Sequence, residues 1–281
     1  MIISKADRLG DVKTYYFVQK LEQIRQMREE GKDVINFGVG SPDLPPSTEA
    51  VKAMASTAEQ KDTHGYQSYK GIPELRQGIA TYYNHMYGVS LSPENEILPL
   101  IGSKEGILHL TLAFVNPGDE VLVPNPGYPT YTSLTKLLGG NVKHYHLKAK
   151  NDWYPDFDEL SQLVTPRTKI MWLNYPHMPT GKPASKAVFE KLVAFAKEHN
   201  ILLCHDNPYS LVLNKKQPVS LLSVDGAKDV AVELNSFSKS HNMAGWRLGM
   251  MLGDLLEIWK ALNFPSFLHG SSLTFFSIPS F

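Results

Sequence analysis

Lys239 lies three residues after Ser236, one after Ser238 and eight before Arg247, in the stretch Asn235-Ser236-Phe237-Ser238-Lys239-Ser240-His241-Asn242-Met243-Ala244-Gly245-Trp246-Arg247-Leu248-Gly249. A lysine in a loop of small residues is ordinarily just solvated. Here the hydroxyls and the guanidinium around it are donors of the kind that grip a phosphate, and its amine is a nucleophile toward a carbonyl. A phosphorylated aldehyde, held by its phosphate and joined to a lysine amine as a Schiff base, is the chemistry of pyridoxal phosphate.

Such a site needs a scaffold, and the chain alternates short apolar runs with helical patterns. That is the mark of an α/β domain with a largely parallel sheet. The runs predict seven strands, at Ile97–Ile101, Glu120–Val123, Val142–Leu147, Lys169–Leu173, Ile201–His205, Val230–Leu234 and Leu248–Leu252. Several are continuously apolar, as strands covered on both faces are. Val188, Leu192, Phe195 and Ala196 recur at helical spacing and predict a helix over Lys186–His199, capped by Ser185. Further helices are expected over Ser103–Phe114, ended by Asn116-Pro117-Gly118, and over Leu21–Glu30, stopped by Gly31.

Three polar residues of interest fall where strands end, which is where open α/β sheets bind ligands. Asp206 follows the run ending at His205, Ser103 follows the one starting at Ile97, and Ser236 follows the one starting at Val230. Each alone has an ordinary reading, as turn residue, helix cap and loop residue respectively. Together with Lys239 and Arg247 they are harder to dismiss.

Bulk properties narrow the field. The 281 residues suffice for one large domain or two ordinary ones. Lys plus Arg and Asp plus Glu both number 28, so no basic excess points to nucleic acid. No apolar run is long enough to span a bilayer, and the charged start Met1-Ile2-Ile3-Ser4-Lys5-Ala6-Asp7-Arg8 holds no signal-peptide core. Cys204 is the one cysteine and lies in an apolar run, which excludes an intrachain disulfide and a cysteine metal cage. A cytoplasmic enzyme without metal, nucleic acid or membrane partner is expected.

Seven motifs in order carry a resemblance to the class I/II aminotransferases, the fold-type I pyridoxal phosphate enzymes. They are Gly38-Val39-Gly40-Ser41-Pro42-Asp43; Tyr66 with Gly71 and Glu74-Leu75-Arg76; Gly102-Ser103-Lys104-Glu105; Asn125-Pro126-Gly127-Tyr128-Pro129; Pro179-Thr180-Gly181; His205-Asp206-Asn207-Pro208-Tyr209; and Ser236-Phe237-Ser238-Lys239 through Arg247-Leu248-Gly249. The resemblance implies a three-layer α/β/α large domain around a mostly parallel seven-stranded sheet. It implies that Lys239 carries the cofactor and, once displaced by substrate, moves a proton between the substrate Cα and the cofactor C4′. Asp206 would face the pyridine nitrogen, Tyr209 the phenolic oxygen and Tyr128 the ring face. Ser103, the Lys104 N–H, Ser236 and Arg247 would take the phosphate, with Ser238 either a further contributor or a plain loop residue, and Tyr66 would reach the phosphate of a neighbouring subunit in a homodimer. Gly38 would lie beside the substrate carboxylate, where a missing side chain lets backbone approach closely.

Two departures from the family pattern stand out. Met178 occupies the place of an asparagine that donates to the phenolic oxygen, and a thioether cannot donate. Tyr209 would then act alone, or Asn174 or His177 would substitute. The family also continues further, through most of a small domain and an arginine that pairs with the substrate α-carboxylate. No Lys or Arg follows Lys260, and residues 264–281 are rich in Phe, Ser and Pro without any Asp or Glu. The expected layout is an N-terminal arm with part of a small domain over 1–45, entered through the Gly- and Pro-rich 36–47, a cofactor-binding domain over 46–263, and an atypical tail over 264–281, either packed or non-native. The leading functional expectation is transfer of an amino group between an amino acid and a 2-oxo acid. A carbon–sulfur β-lyase or related fold-type I enzyme, or a fragment that binds cofactor without turning over, remain the alternatives.

Overall fold

A computed structural model of the chain describes residues 3–4, 6–9, 16–36, 40–212, 214 and 216–255. The tail over 264–281 lies outside them. In chain order the elements are α1 (Tyr16–Glu29), α2 (Thr48–Ala58), α3 (Pro73–Tyr87), β1 (Ile97–Leu100), α4 (Ser103–Phe114), β2 (Glu120–Asn125), α5 (Pro129–Leu137), β3 (Asn141–His146), α6 (Phe157–Leu163), β4 (Thr168–Asn174), α7 (Lys186–His199), β5 (Leu202–Asp206), β6 (Ala231–Ser236), α8 (Phe237–Ser240) and β7 (Gly249–Gly253).

The strands form one seven-stranded sheet in the order β1-β7-β6-β5-β4-β2-β3. Only β7 runs antiparallel, to both of its neighbours. All seven strands stand where the apolar runs place them. They extend one or two residues further at several ends because pairing, not apolarity, sets the limit. Ser236, for example, is still paired with Gly249. Two apolar clusters cover the sheet. One includes Leu75, Ile79 and Tyr83 of α3 with Phe189, Leu192 and Ala196 of α7; the other includes Ile107 and Leu110 of α4 with Tyr131 of α5. This is the three-layer arrangement the resemblance implies.

Helix α7 matches its expected bounds, with Ser185 Oγ accepting from Val188 N at 3.4 Å. α4 also stands where expected. α1 begins at Tyr16, five residues before the expected start; Tyr16 and Val18 of its first turn are exposed, so no buried apolar stripe marks that end. No helix among the described residues is long and apolar enough to cross a membrane.

Candidate active site

The carboxyl ends of the parallel strands bring the sequence candidates together. Asp206 closes β5 and is buried, and its Oδ2 accepts a hydrogen bond from the Tyr131 hydroxyl at 2.9 Å. Tyr131 belongs to α5, and its ring stacks on Trp172 of β4 with centroids 4.8 Å apart and planes 6° apart. Burial pushes the Asp206 carboxyl up to about 6, against the pull of the Tyr131 hydrogen bond, the His205 charge and the Ser103 hydroxyl. Its other oxygen, Oδ1, is buried without a hydrogen-bond partner of ordinary geometry. A buried carboxylate oxygen left so is costly unless a donor meets it.

Ser103 opens α4 directly after Gly102, whose φ of 110° lies in the region open to glycine. A Cβ on Gly102 would stand 2.2 Å from Arg247 Nη2, so the guanidinium lies against the first turn of α4. Arg247 is held in turn by Nη1 donating to the Ala244 carbonyl at 2.9 Å. Gly249, two residues later on β7, permits the close approach: a Cβ there would lie 2.8 Å from Gly102 Cα and 2.9 Å from Ser103 N. A helix N-terminus faced by a guanidinium fork suits an anion with several oxygens.

Lys239 sits on the short helix α8. The Ser236 hydroxyl caps that helix by accepting from Ser238 N at 3.0 Å. The Lys239 amine donates to the Gly40 carbonyl at 3.1 Å, which brings the N-terminal glycine motif to the lysine across 199 residues of sequence. Burial lowers the Lys239 pKa, so more of the amine is unprotonated and nucleophilic near neutrality. Tyr128 precedes α5, edge-on to Tyr131 at 5.6 Å between centroids, and the Lys104 ammonium lies 5.7 Å from its ring centre. Tyr209 is half-buried in the loop after β5, where its carbonyl accepts from Val212 N at 2.9 Å. Tyr66 is fully exposed, at 102 % of its reference area, and so is not packed into its own chain's site. Gly38 lies outside the described residues.

The two substitutes considered for the missing asparagine are otherwise engaged. Asn174 Nδ2 donates to the Asp206 carbonyl at 2.8 Å and its Oδ1 accepts from Met178 N at 2.8 Å. His177 is buried, with Nδ1 2.7 Å from Thr180 Oγ1 and Nε2 3.1 Å from the Pro126 carbonyl. Tyr131 is the site residue that sequence reasoning missed. Its one signal was its place a single helical turn after Tyr128, on the same side of the helix.

Pyridoxal phosphate fits this donor set. The orphaned Asp206 Oδ1 matches the pyridine N–H, the Gly102–Arg247–Gly249 cradle that a Cβ would fill matches the phosphate, and the Lys239 amine matches the aldehyde. The fold and these residues define a pyridoxal-phosphate-dependent transferase. The chain belongs to the aminotransferase class I and II family, whose pattern matches residues 32–268. It is 42 % identical over 260 residues to the LL-diaminopimelate aminotransferase of Dehalococcoides mccartyi, covering 92 % of this chain and 67 % of that protein. Among solved structures it is similar to substrate-bound BacF from Bacillus subtilis, with a TM-score of 0.87 and 38 % identity over 94 % of this chain and 66 % of that one. It is also similar to an aspartate aminotransferase from Thermus thermophilus with maleate, at a TM-score of 0.85 and 28 % identity over 92 % of this chain and 66 % of that one. The chain thus spans about two thirds of the length of the relatives it matches.

Proposed function

We propose that this protein transfers the amino group of an amino acid to a 2-oxo acid, with Lys239 as the residue that carries the cofactor and moves the proton. The observation that carries the reading is the orphaned Asp206 Oδ1 in a site that also holds Lys239 and the Gly102–Arg247 cradle. When bound, pyridoxal phosphate supplies the electron sink that makes the substrate Cα–H acidic. Asp206 keeps a proton on the pyridine nitrogen, for which its carboxylate needs to be ionised. A cation opposite Oδ1 favours that state and draws the carboxyl back from about 6. Ser103, Lys104, Ser236 and Arg247 hold the phosphate, and Tyr128 covers the ring. Tyr209 donates to the phenolic oxygen, the role left to it by the engaged Asn174 and His177. Gly38 is assigned to the substrate carboxylate; the Gly40 carbonyl on Lys239 supports a place for that motif at the site.

LL-diaminopimelate is the amino donor we infer first, supported by the named relatives at 42 % and 43 % identity. A homodimer in which Tyr66 reaches the neighbouring subunit's phosphate is supported by the full exposure of that ring. The test is a two-substrate assay of the protein loaded with pyridoxal phosphate, with a panel of amino acids that includes LL-diaminopimelate and with 2-oxoglutarate as acceptor. Glutamate formation that depends on Lys239 supports the reading. Pyruvate and ammonia released from cysteine-type substrates without glutamate would point to β-elimination instead.

A further inference from the structure

Glu233 takes no part in the chemistry above, yet it is a fully buried carboxylate with four donors. Its Oε1 accepts from the Tyr83 hydroxyl at 2.8 Å and Asn207 Nδ2 at 3.2 Å. Its Oε2 meets His205 Nδ1 at 2.8 Å and accepts from Leu221 N at 2.8 Å. Burial alone would raise this group, but His205, Tyr83 and Asn207 more than offset it and hold it below its ordinary value. Burial and the Glu233 charge push the Tyr83 phenol well up, so Tyr83 keeps the proton it donates.

An ionised carboxylate accepts only, and this fixes the direction of everything attached to it. Because Tyr83 commits its proton to Glu233, its oxygen faces Asn235 as an acceptor, and Asn235 Nδ2 donates to it at 2.9 Å. Together with a second Nδ2 bond to the Tyr87 hydroxyl at 3.2 Å, this orients the Asn235 carboxamide with Oδ1 toward Ser236 N, which donates at 2.7 Å. Ser236 is the cap of α8 and the start of the lysine segment. The chain therefore runs from a buried charge on β6, through α3, back to the residue that caps the helix bearing Lys239. Of its members, only Ser236 is among the residues assigned to the cofactor.

We propose that Glu233 is a positioning residue, which acts through Tyr83 and Asn235 to hold Ser236 where its hydroxyl meets the cofactor phosphate. The proposal rests on the assignment of Ser236 to the phosphate. Tyr83→Phe removes the hydroxyl in the middle of the chain and keeps the ring that packs on Tyr87 at 4.7 Å. Glu233→Gln removes the charge and sets an amide donor against partners that all donate. The readout is the affinity of each protein for pyridoxal phosphate and for pyridoxal, measured by absorbance titration. The ratio of the two affinities cancels any general loss of folded protein, so a destabilised variant still reports. Both variants should bind pyridoxal phosphate about tenfold more weakly than wild type and pyridoxal within about twofold of wild type. Equal weakening of both ligands, or no weakening of either, would overturn the proposal. A wild type that binds pyridoxal as tightly as pyridoxal phosphate would instead remove the phosphate assignment on which the proposal rests.

Discussion

The Tyr131 hydroxyl holds one oxygen of Asp206 at 2.9 Å, while the other, Oδ1, has no hydrogen-bond partner of ordinary geometry. The stacked Trp172 ring fixes where that hydroxyl points. The carboxylate is thus oriented from behind while its second oxygen stays available to a pyridine N–H. Tyr131→Phe keeps the ring and removes the donor. Hydrogen bonds to charged groups contribute about 1.5–3 kcal/mol, so the rate of the amino-acid half-reaction should fall about ten- to a hundredfold. Stopped-flow absorbance of the loaded protein checks this. An unchanged rate would mean that Tyr131 only packs.

Asp206 also sets a pH dependence in the cofactor-free protein. Its folded pKa of about 6 lies above the ordinary 3.8, so the folded state holds the proton more tightly than the unfolded state. The stabilising contribution is present below the unfolded value and is lost as pH rises through the folded one. The rise corresponds to roughly 3 kcal/mol. Urea unfolding of cofactor-free protein from pH 4 to pH 7 should show this decline, and Asp206→Asn should flatten it. Parallel profiles for the two proteins would refute the assignment.

Gly102 and Arg247 act through one contact. Gly102→Ala drives a methyl into the guanidinium at a φ of 110°, while Arg247→Ala removes the fork itself. Each substitution should weaken pyridoxal phosphate about ten- to a hundredfold. The double variant should be little worse than the worse single one, because both delete the same interaction. Additive losses in a binding titration would mean that the two residues act separately.

In the proposed site Met178 would leave the phenolic oxygen to Tyr209, since Asn174 and His177 have their amide and ring nitrogens engaged elsewhere. Met178→Asn adds a donor that favours the ionised oxygen. The pKa read from the visible absorbance of the lysine-bound cofactor should therefore fall by about one unit. Equal values in wild type and variant would show that position 178 has no influence on that oxygen.

The parts of this site read most easily from sequence are those whose partners are close in the chain. Ser236, Lys239 and Arg247 lie within twelve residues of one another, and Ser103 and Asp206 fall at strand ends that apolar runs mark well. The contact between Tyr131 and Asp206 spans 75 residues, and the Gly102–Arg247 packing depends on β1 and β6 both pairing with β7, so no local pattern contains either. Helix α3 escaped notice because Tyr83 and Tyr87 present polar tips, although both are buried and bonded to Glu233 and Ser210. Position 178 read as a simple loss of a donor; only the geometry removed Asn174 and His177 as replacements.

The identity of the cofactor-bearing lysine is the most direct test. The protein saturated with pyridoxal phosphate is reduced with borohydride, digested and mapped by mass spectrometry. The pyridoxyl group should appear on the peptide containing Lys239 and vanish, with the visible absorbance band, in Lys239→Ala. A pyridoxyl group on another lysine at equal yield, or a band unchanged in Lys239→Ala, would contradict the assignment of this site.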